Sequence, residues 1–479
     1  MVLRTAAGKG WNLGCNAMPE RADEFSDLSF SEAPKIVVKP PGPKARELLE
    51  KQKEVDSRAV YYPIVIPTAW EAGKGATLRD VDGNVYIDFM SGISVLNVGH
   101  TNPRVVEAVK RQLDKLTHAL DIPTPERIRF IEKLVQIAPA GLKGNSRVLF
   151  GGPTGSDAVE GALKIAKFNT KRHTFLAFHG AYHGMTSGAL AVTSKRAFRS
   201  GNLPLIPDVH FAPYAYCYRC AFGKEYPECG MQCARYVEYL FNDPESGLTD
   251  PAGIIVEPIQ GEGGFITPPD GFLKELRRIC DENKVVMIVD EIQSGFGRAG
   301  KMFACEYEDI TPDVVTIAKA VGGIGIPLSG CIIKKTLDTW DPGGHLGTFR
   351  GNVLACVAGL EAINFTLEKG LVERSAREGA HMLKRLEDLQ QETKSIGEVR
   401  GKGLMVAAEF VEDKKTKKPA VELVKRIHAK CFERGVIVWK AGHWPNVIRF
   451  LPPLVITREH IDKGLDVFSE AVKDAEREL

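Results

Sequence analysis

Three charged residues each close a short apolar run: Glu257 after GIIV, Asp290 after VVMIV and Lys319 after VVTIA. Runs of this kind read as fully buried strands, and in an open α/β sheet a ligand sits beyond the strands' carboxyl ends. Two carboxylates and an amine gathered there could hold and move protons, although any one of them could be a structural ion pair. FGGPTGSDAVEGALKIAK (150–167) adds a glycine-rich turn that opens an amphipathic helix. Its Gly155 and Ser156 would offer N–H groups, a hydroxyl and the helix dipole to an anion, or serve as an ordinary N-cap. FHGAYHGMTSGALAV (178–192) sets Tyr182 beside His183 after another strand.

Two other patterns invite chemistry. Cys217, Cys220, Cys229 and Cys233 form C-x2-C, eight residues, then C-x3-C. Four thiolates could hold zinc or an iron–sulfur cluster, but the loop between the pairs is short for a zinc ribbon. A surface insertion with free thiols or one disulfide is the alternative, and no metal ligand is assigned. GFGRAGKM (295–302) matches the start of a phosphate-binding loop, yet Met302 stands where the magnesium-binding hydroxyl belongs, which argues against nucleotide hydrolysis.

The elements that must position these residues alternate between strand and helix, the signature of an α/β sheet. Expected strands are 148–152, 174–178, 253–257, 285–291 and 314–319; expected helices are 106–116, 129–137, 371–392 and 420–434. The lysine-rich 411–420 reads as a solvated hairpin or loop. The expected division is an extra, poorly ordered N-terminal segment (1–35), the N-terminal part of a small domain (36–104), a large domain (105–345) and the rest of the small domain (346–479).

The chain has 479 residues, 44% of them hydrophobic and 26% charged, and a net charge of +2. That balance lacks the basic excess of a nucleic-acid or membrane-surface protein, so neither partner is expected. No apolar run approaches the roughly 18–20 residues of a membrane span. The first residues lack the apolar stretch of a secretory signal; a transit peptide, a loose tail or a later start at Met18 remain open. Ten cysteines without such a signal suggest reduced thiols and a cytoplasmic protein.

In order along the chain stand DVDGNVYIDFMSGISVLNVGH (80–100), VEPIQGEGG (256–264), VDEIQSGFGRAGK (289–301), IAKAVGGIGIPLSG (317–330) and GTFRGNVLAC (347–356). From about Lys39 onward the chain resembles the class III (ornithine/4-aminobutyrate-type) pyridoxal-phosphate (PLP) aminotransferases, a family that includes amino-acid racemases. The resemblance implies a fold type I transferase: a mostly parallel central sheet with a smaller α+β domain. It implies Lys319 as the Schiff-base lysine, Asp290 against the pyridinium nitrogen, Tyr182 stacked on the ring and Gln293 on the phenolic oxygen. Gly155 and Ser156 would cup the phosphate, and His183 and Glu257 would line the cofactor site. Thr348 would reach a neighbouring subunit's phosphate, so a homodimer or dimer of dimers with shared active sites is expected.

For substrates, an amino acid and a 2-oxo acid, the resemblance implies that Arg449 clamps the α-carboxylate of 2-oxoglutarate and that catalytic Glu262 neutralises Arg449 when an ω-amino substrate enters. Ile93 is a further substrate-binding candidate. Met185 departs from the family pattern, because 4-aminobutyrate enzymes carry an arginine there for the distal carboxylate. That puts 4-aminobutyrate in doubt and points to an ornithine-like or other diamino acid donor. A racemase using Lys319 and a second base stays open, as does a non-catalytic PLP-binding relative. An aspartate is expected at position 262 in a racemase, so Glu262 favours transamination.

Overall fold

The computed structural model describes residues 23–206 and 208–478. Among these, seven strands make the largest sheet: β1 (Ser146–Phe150), β2 (Thr174–Phe178), β3 (Val209–Ala212), β4 (Pro251–Val256), β5 (Val286–Asp290), β6 (Val314–Ile317) and β7 (Gly330–Lys334). Their spatial order is β1-β7-β6-β5-β4-β2-β3. All neighbours are parallel except β7, which runs antiparallel to both β1 and β6.

Strand residues alternate between two cores. Ile254, Val256, Met287 and Val289 pack with Leu276 and Ile279 of helix Phe272–Asn283. Ile255, Val286 and Ile288 pack with Val159, Ala162 and Ala166 of helix Gly155–Thr170. Both faces are therefore covered, which is why these runs carry no polar residue until they end. Full burial of each such Val, Leu or Ile stabilises the fold by about 1.5–3 kcal/mol. Register makes the ends level: Val256 pairs with Val289, and Val289 with Val315.

Two smaller sheets join the chain's ends. Trp70–Lys74, Thr77–Asp80 and Val85–Asp88 form a meander, to which Val436–Ile437 adds in parallel. Ile396–Lys402, Met405–Asp413, Val447–Phe450 and Trp439–Ala441 form an antiparallel sheet, with Lys418–Pro419 pairing off its longest strand. That last pairing turns the lysine-rich segment into a hairpin. Val85, Ile87 and Phe89 share one core with Val406, Ile448, Phe450 and Phe468.

Of the N-terminal segment expected to be poorly ordered, residues 1–22 lie outside the described residues. Residues 23–35 differ from that expectation, because Phe25 and Ala33 are buried in the core just named. Lys35 exchanges both backbone hydrogen bonds with Val85 (2.8 Å each), and Asp23 pairs with Arg374 at 2.5 Å. One buried aromatic ring and a strand-like bridge hold this otherwise polar stretch.

Candidate active site

Glu257, Asp290 and Lys319 stand at the carboxyl ends of the adjacent strands β4, β5 and β6. Asp290 Oδ2 lies 2.6 Å from His183 Nδ1, and its Oδ1 accepts from Thr316 Oγ1 (2.9 Å) and the Ile292 N–H (3.1 Å). Burial opposes a charge on His183, but the Asp290 hydrogen bond and charge outweigh it and leave the pKa raised. The other ring nitrogen, Nε2, is buried without a partner among the described residues. Glu257 accepts from the N–H groups of Tyr182 (3.1 Å) and Gly261 (2.8 Å), and burial pushes its pKa up to about 7.

Lys319 begins a single 3-10 turn in the left-handed backbone region, with φ of 52°. Burial lowers its pKa against the attraction of Asp290, Glu262 and Glu257. No described residue hydrogen-bonds or ion-pairs with its amine.

Asp157 caps helix Gly155–Thr170 by accepting from the Thr154 N–H (2.9 Å) and hydroxyl (2.7 Å). The first N–H groups of the helix, on Gly155 and Ser156, have no intrahelical acceptor and can receive an anion. A Cβ on Gly155 would lie 3.0 Å from Ile292 and 3.6 Å from Ala318, so this helix start abuts the residue preceding Lys319. Ser156 Oγ accepts from the Met185 N–H at 3.0 Å. A side chain at Gly184 would overlap Ser156, which fixes a glycine in the YHG turn. The Tyr182 ring meets Phe198 edge-on, and burial pushes its hydroxyl up to about 12.

Arg449 is wholly buried on strand Val447–Phe450. Its Nη2 donates to Glu262 Oε1 at 2.7 Å and its Nη1 to Gly261 O at 2.8 Å; Nη1 stands 3.5 Å from Gln293 Oε1. Nε has no partner. Burial would raise the Glu262 pKa, yet the charge and hydrogen bond of Arg449 hold it below the usual carboxylate value. Ile93 (φ 62°) packs with Met90 against the cluster of Tyr86, Ile437 and Trp439, the last of which pairs with Arg449 across the sheet. Met185 is 48% exposed. Thr348 is exposed between Leu346 and Phe349, each at least 70% exposed, and hydrogen-bonds to none of the residues above within the one chain.

Residues that sequence reasoning misses complete the wall. A cavity of about 490 Å³ reaches from Tyr182 and Glu262 to His179, Arg219, Gln260 and His443. Tyr62, whose pKa is raised by burial and then by the charge of Glu262, packs 5.4 Å from Trp439, the strand partner of Arg449. His179 and Gln260 belong to the quoted FHGAYHG and IQGEGG segments, but nothing in the sequence links these to Arg219, His443 or Tyr62.

The apparent phosphate loop is structural: Arg298 is wholly buried and binds Ser94 Oγ (3.0 Å), Asn97 Oδ1 (2.7 Å) and Leu404 O (2.9 Å). Cys217, Cys220, Cys229 and Cys233 line one small cavity as free thiols. Among the described residues, no three His, Cys, Asp or Glu side chains are grouped to hold a metal. Among the described residues, too, no helix is long and apolar enough to cross a membrane.

An unpartnered amine of lowered pKa, an open helix start, an aromatic face and a braced buried carboxylate together fit a phosphorylated pyridine aldehyde such as PLP. The comparisons with known proteins agree. The family profile described as aminotransferase class III matches residues 61–472. The chain is 40% identical over 423 residues to the diaminobutyrate–2-oxoglutarate aminotransferase of Rhizobium meliloti, covering 87% of this chain and 90% of that one. It is 39% identical over 436 residues to the leucine/methionine racemase of Thermococcus litoralis, covering 90% and 96%. The crystal structure of the Toxoplasma gondii ornithine aminotransferase with partial PLP occupancy superposes with a TM-score of 0.78 at 27% identity, covering 91% of this chain and 95% of that chain. The chain belongs to the class III aminotransferases, and it is a PLP-dependent transaminase acting on amino and oxo acids.

Proposed function

We propose that this transaminase moves the terminal amino group of an ω-amino or diamino acid, ornithine-like or 4-aminobutyrate-like, onto 2-oxoglutarate. The observation that carries this reading is the ion pair of Glu262 with the buried Arg449, whose Nε remains free. Closed, the pair is a neutral wall that tolerates the uncharged chain of an ω-amino donor. Open, Arg449 presents a planar fork to the α-carboxylate of 2-oxoglutarate. A carboxylate so engaged is poorly placed to be the second base of a racemase, which is the other reading.

Lys319 would hold the cofactor covalently and, once released, take the proton from the amino-bearing carbon. Its burial favours the neutral amine that this needs. Bound PLP supplies the electron sink that makes that proton removable. Asp290, braced by His183 and Thr316, would keep the ring nitrogen protonated. Tyr182 would cover the ring face, Gln293 would meet the phenolic oxygen, and Gly155 and Ser156 would cup the phosphate. Glu257 would act through the backbone it holds at Tyr182 and Gly261. Thr348, exposed in one chain, would be supplied by a second copy in a homodimer or dimer of dimers. The described cysteines, all free thiols, support a cytoplasmic enzyme.

The test supplies ω-amino, diamino and α-amino acids singly, with and without 2-oxoglutarate. Glutamate formed from the first two classes supports the reading; a D-enantiomer formed without any oxo acid contradicts it.

A further inference from the structure

We propose that the cavity beside Glu262 is a subsite that reads the far end of the amino donor as an α-amino acid group, through Arg219 and Gln260. The inference rests on the ω-transaminase reading above and narrows its donor to a diamino acid.

Two side chains in the wall of this cavity keep a buried polar atom without a partner among the described residues: Arg219 at Nη2 and Gln260 at Oε1. Each such atom costs about 1–3 kcal/mol until something pairs with it. Neither side chain is free to turn away. Arg219 Nε donates to Glu409 Oε1 at 2.5 Å, and the guanidinium lies 5.1 Å over Trp444. Glu409, itself 1% exposed, also accepts from the Tyr216 hydroxyl and from Arg400 Nη1 (2.7 Å). Arg400 is paired with Glu398 as well, so Glu409 is shared and Arg219 keeps an unfilled donor at Nη2 among the described residues. Gln260 Nε2 donates to His179 O at 2.8 Å, which orients Oε1 as the free acceptor.

His443 links the two. Its ring contacts Tyr216 (5.6 Å) and Trp444 (5.8 Å), and a Cβ on Gly180 would overlap both its Nε2 and Gln260 Oε1. Lys195 and Arg196 add positive charge to the same cavity. A cationic donor next to a neutral acceptor complements a carboxylate next to an ammonium. A donor that reacts at its terminal amine and carries that group at its other end is a diamino acid. Met185, apolar and half-exposed, offers that end no charge.

The test compares donors within each variant of the holoenzyme: L-2,4-diaminobutyrate; 1,3-diaminopropane, which lacks its carboxylate; and 4-aminobutyrate, which lacks its α-amine. In Arg219→Gln, the kcat/KM preference for diaminobutyrate over diaminopropane should fall by about 10- to 100-fold, mainly through KM. In Gln260→Leu, the preference over 4-aminobutyrate should fall by about 10-fold. Unchanged ratios overturn the subsite even where overall activity drops. If the unmodified enzyme uses none of the three donors, the ω-transaminase reading fails on its own. The subsite is then read by calorimetric titration of diaminobutyrate into Lys319→Ala protein. Binding that weakens by about 10-fold or more when Arg219→Gln is added supports it; equal or absent binding overturns it.

Discussion

Glu262 and Arg449 face each other at 2.7 Å, with the arginine sealed in the core and the carboxylate at the edge of the cavity. The asymmetry decides which partner can move. Arg449 is also held by Gly261 O, whereas the Glu262 carboxylate makes no other hydrogen bond among the described residues. On the proposed function the glutamate would be the partner that swings and the arginine the one that stays.

Changing either partner should separate the two halves of the reaction. Arg449→Lys keeps the charge and loses the fork, so KM for 2-oxoglutarate should rise by about 10- to 100-fold. Glu262→Gln leaves the arginine charge uncompensated when the amino donor enters, so donor KM should rise more than that of 2-oxoglutarate. Steady-state kinetics with each substrate varied in turn checks both; equal effects on the two substrates would show a merely structural pair.

Glu257 should make stability depend on pH. Its folded pKa of about 7 lies above the ordinary 4.5, so the folded protein binds this proton more tightly than the unfolded chain. Its contribution is fully present below about pH 4.5 and is lost as pH rises toward 7. Over that window Glu257→Gln, which cannot titrate, should gain on the unmodified protein by at most about 3 kcal/mol. Urea denaturation of cofactor-free protein at about pH 5 and about pH 7.5 measures the change. A constant gap at the two pH values contradicts it.

Lys319→Ala should leave the fold intact and remove the covalent anchor. After borohydride reduction, peptide mass spectrometry should find the pyridoxyl adduct on Lys319 in the unmodified enzyme and nowhere in the variant. Transamination should fall by at least about a thousandfold. An adduct on another lysine would reassign the anchor.

Arg298→Leu should destabilise the protein by about 3 kcal/mol or more, because its buried guanidinium holds Ser94, Asn97 and Leu404 together. Chemical denaturation measures this. A change under about 1 kcal/mol would mean that its partners re-pair without it.

The strand runs ahead of Glu257, Asp290 and Lys319 are legible because both faces of the central sheet are covered, so they are apolar apart from Thr316. Helix Leu371–Glu392 is equally legible, since its long charged stripe repeats over many turns. Strand Gly330–Lys334 escapes notice: CII is too short to show a period, and no local signal encodes its antiparallel direction. Phe25 gives no warning that one ring fastens residues 23–35 to the core. The GEGG and YHG turns announce a site. The residues that join them, Arg219, His443 and Tyr62, meet them only through folding, from segments that share no spacing.

The most direct measurement follows nitrogen. L-2,4-diaminobutyrate labelled with 15N at its terminal amine, and separately at its α-amine, is incubated with the holoenzyme and 2-oxoglutarate, and the glutamate is analysed by mass spectrometry. Transfer of the terminal amine predicts labelled glutamate from the first donor and unlabelled glutamate from the second. Label arriving from the α-amine, or D-diaminobutyrate accumulating without glutamate, would contradict it.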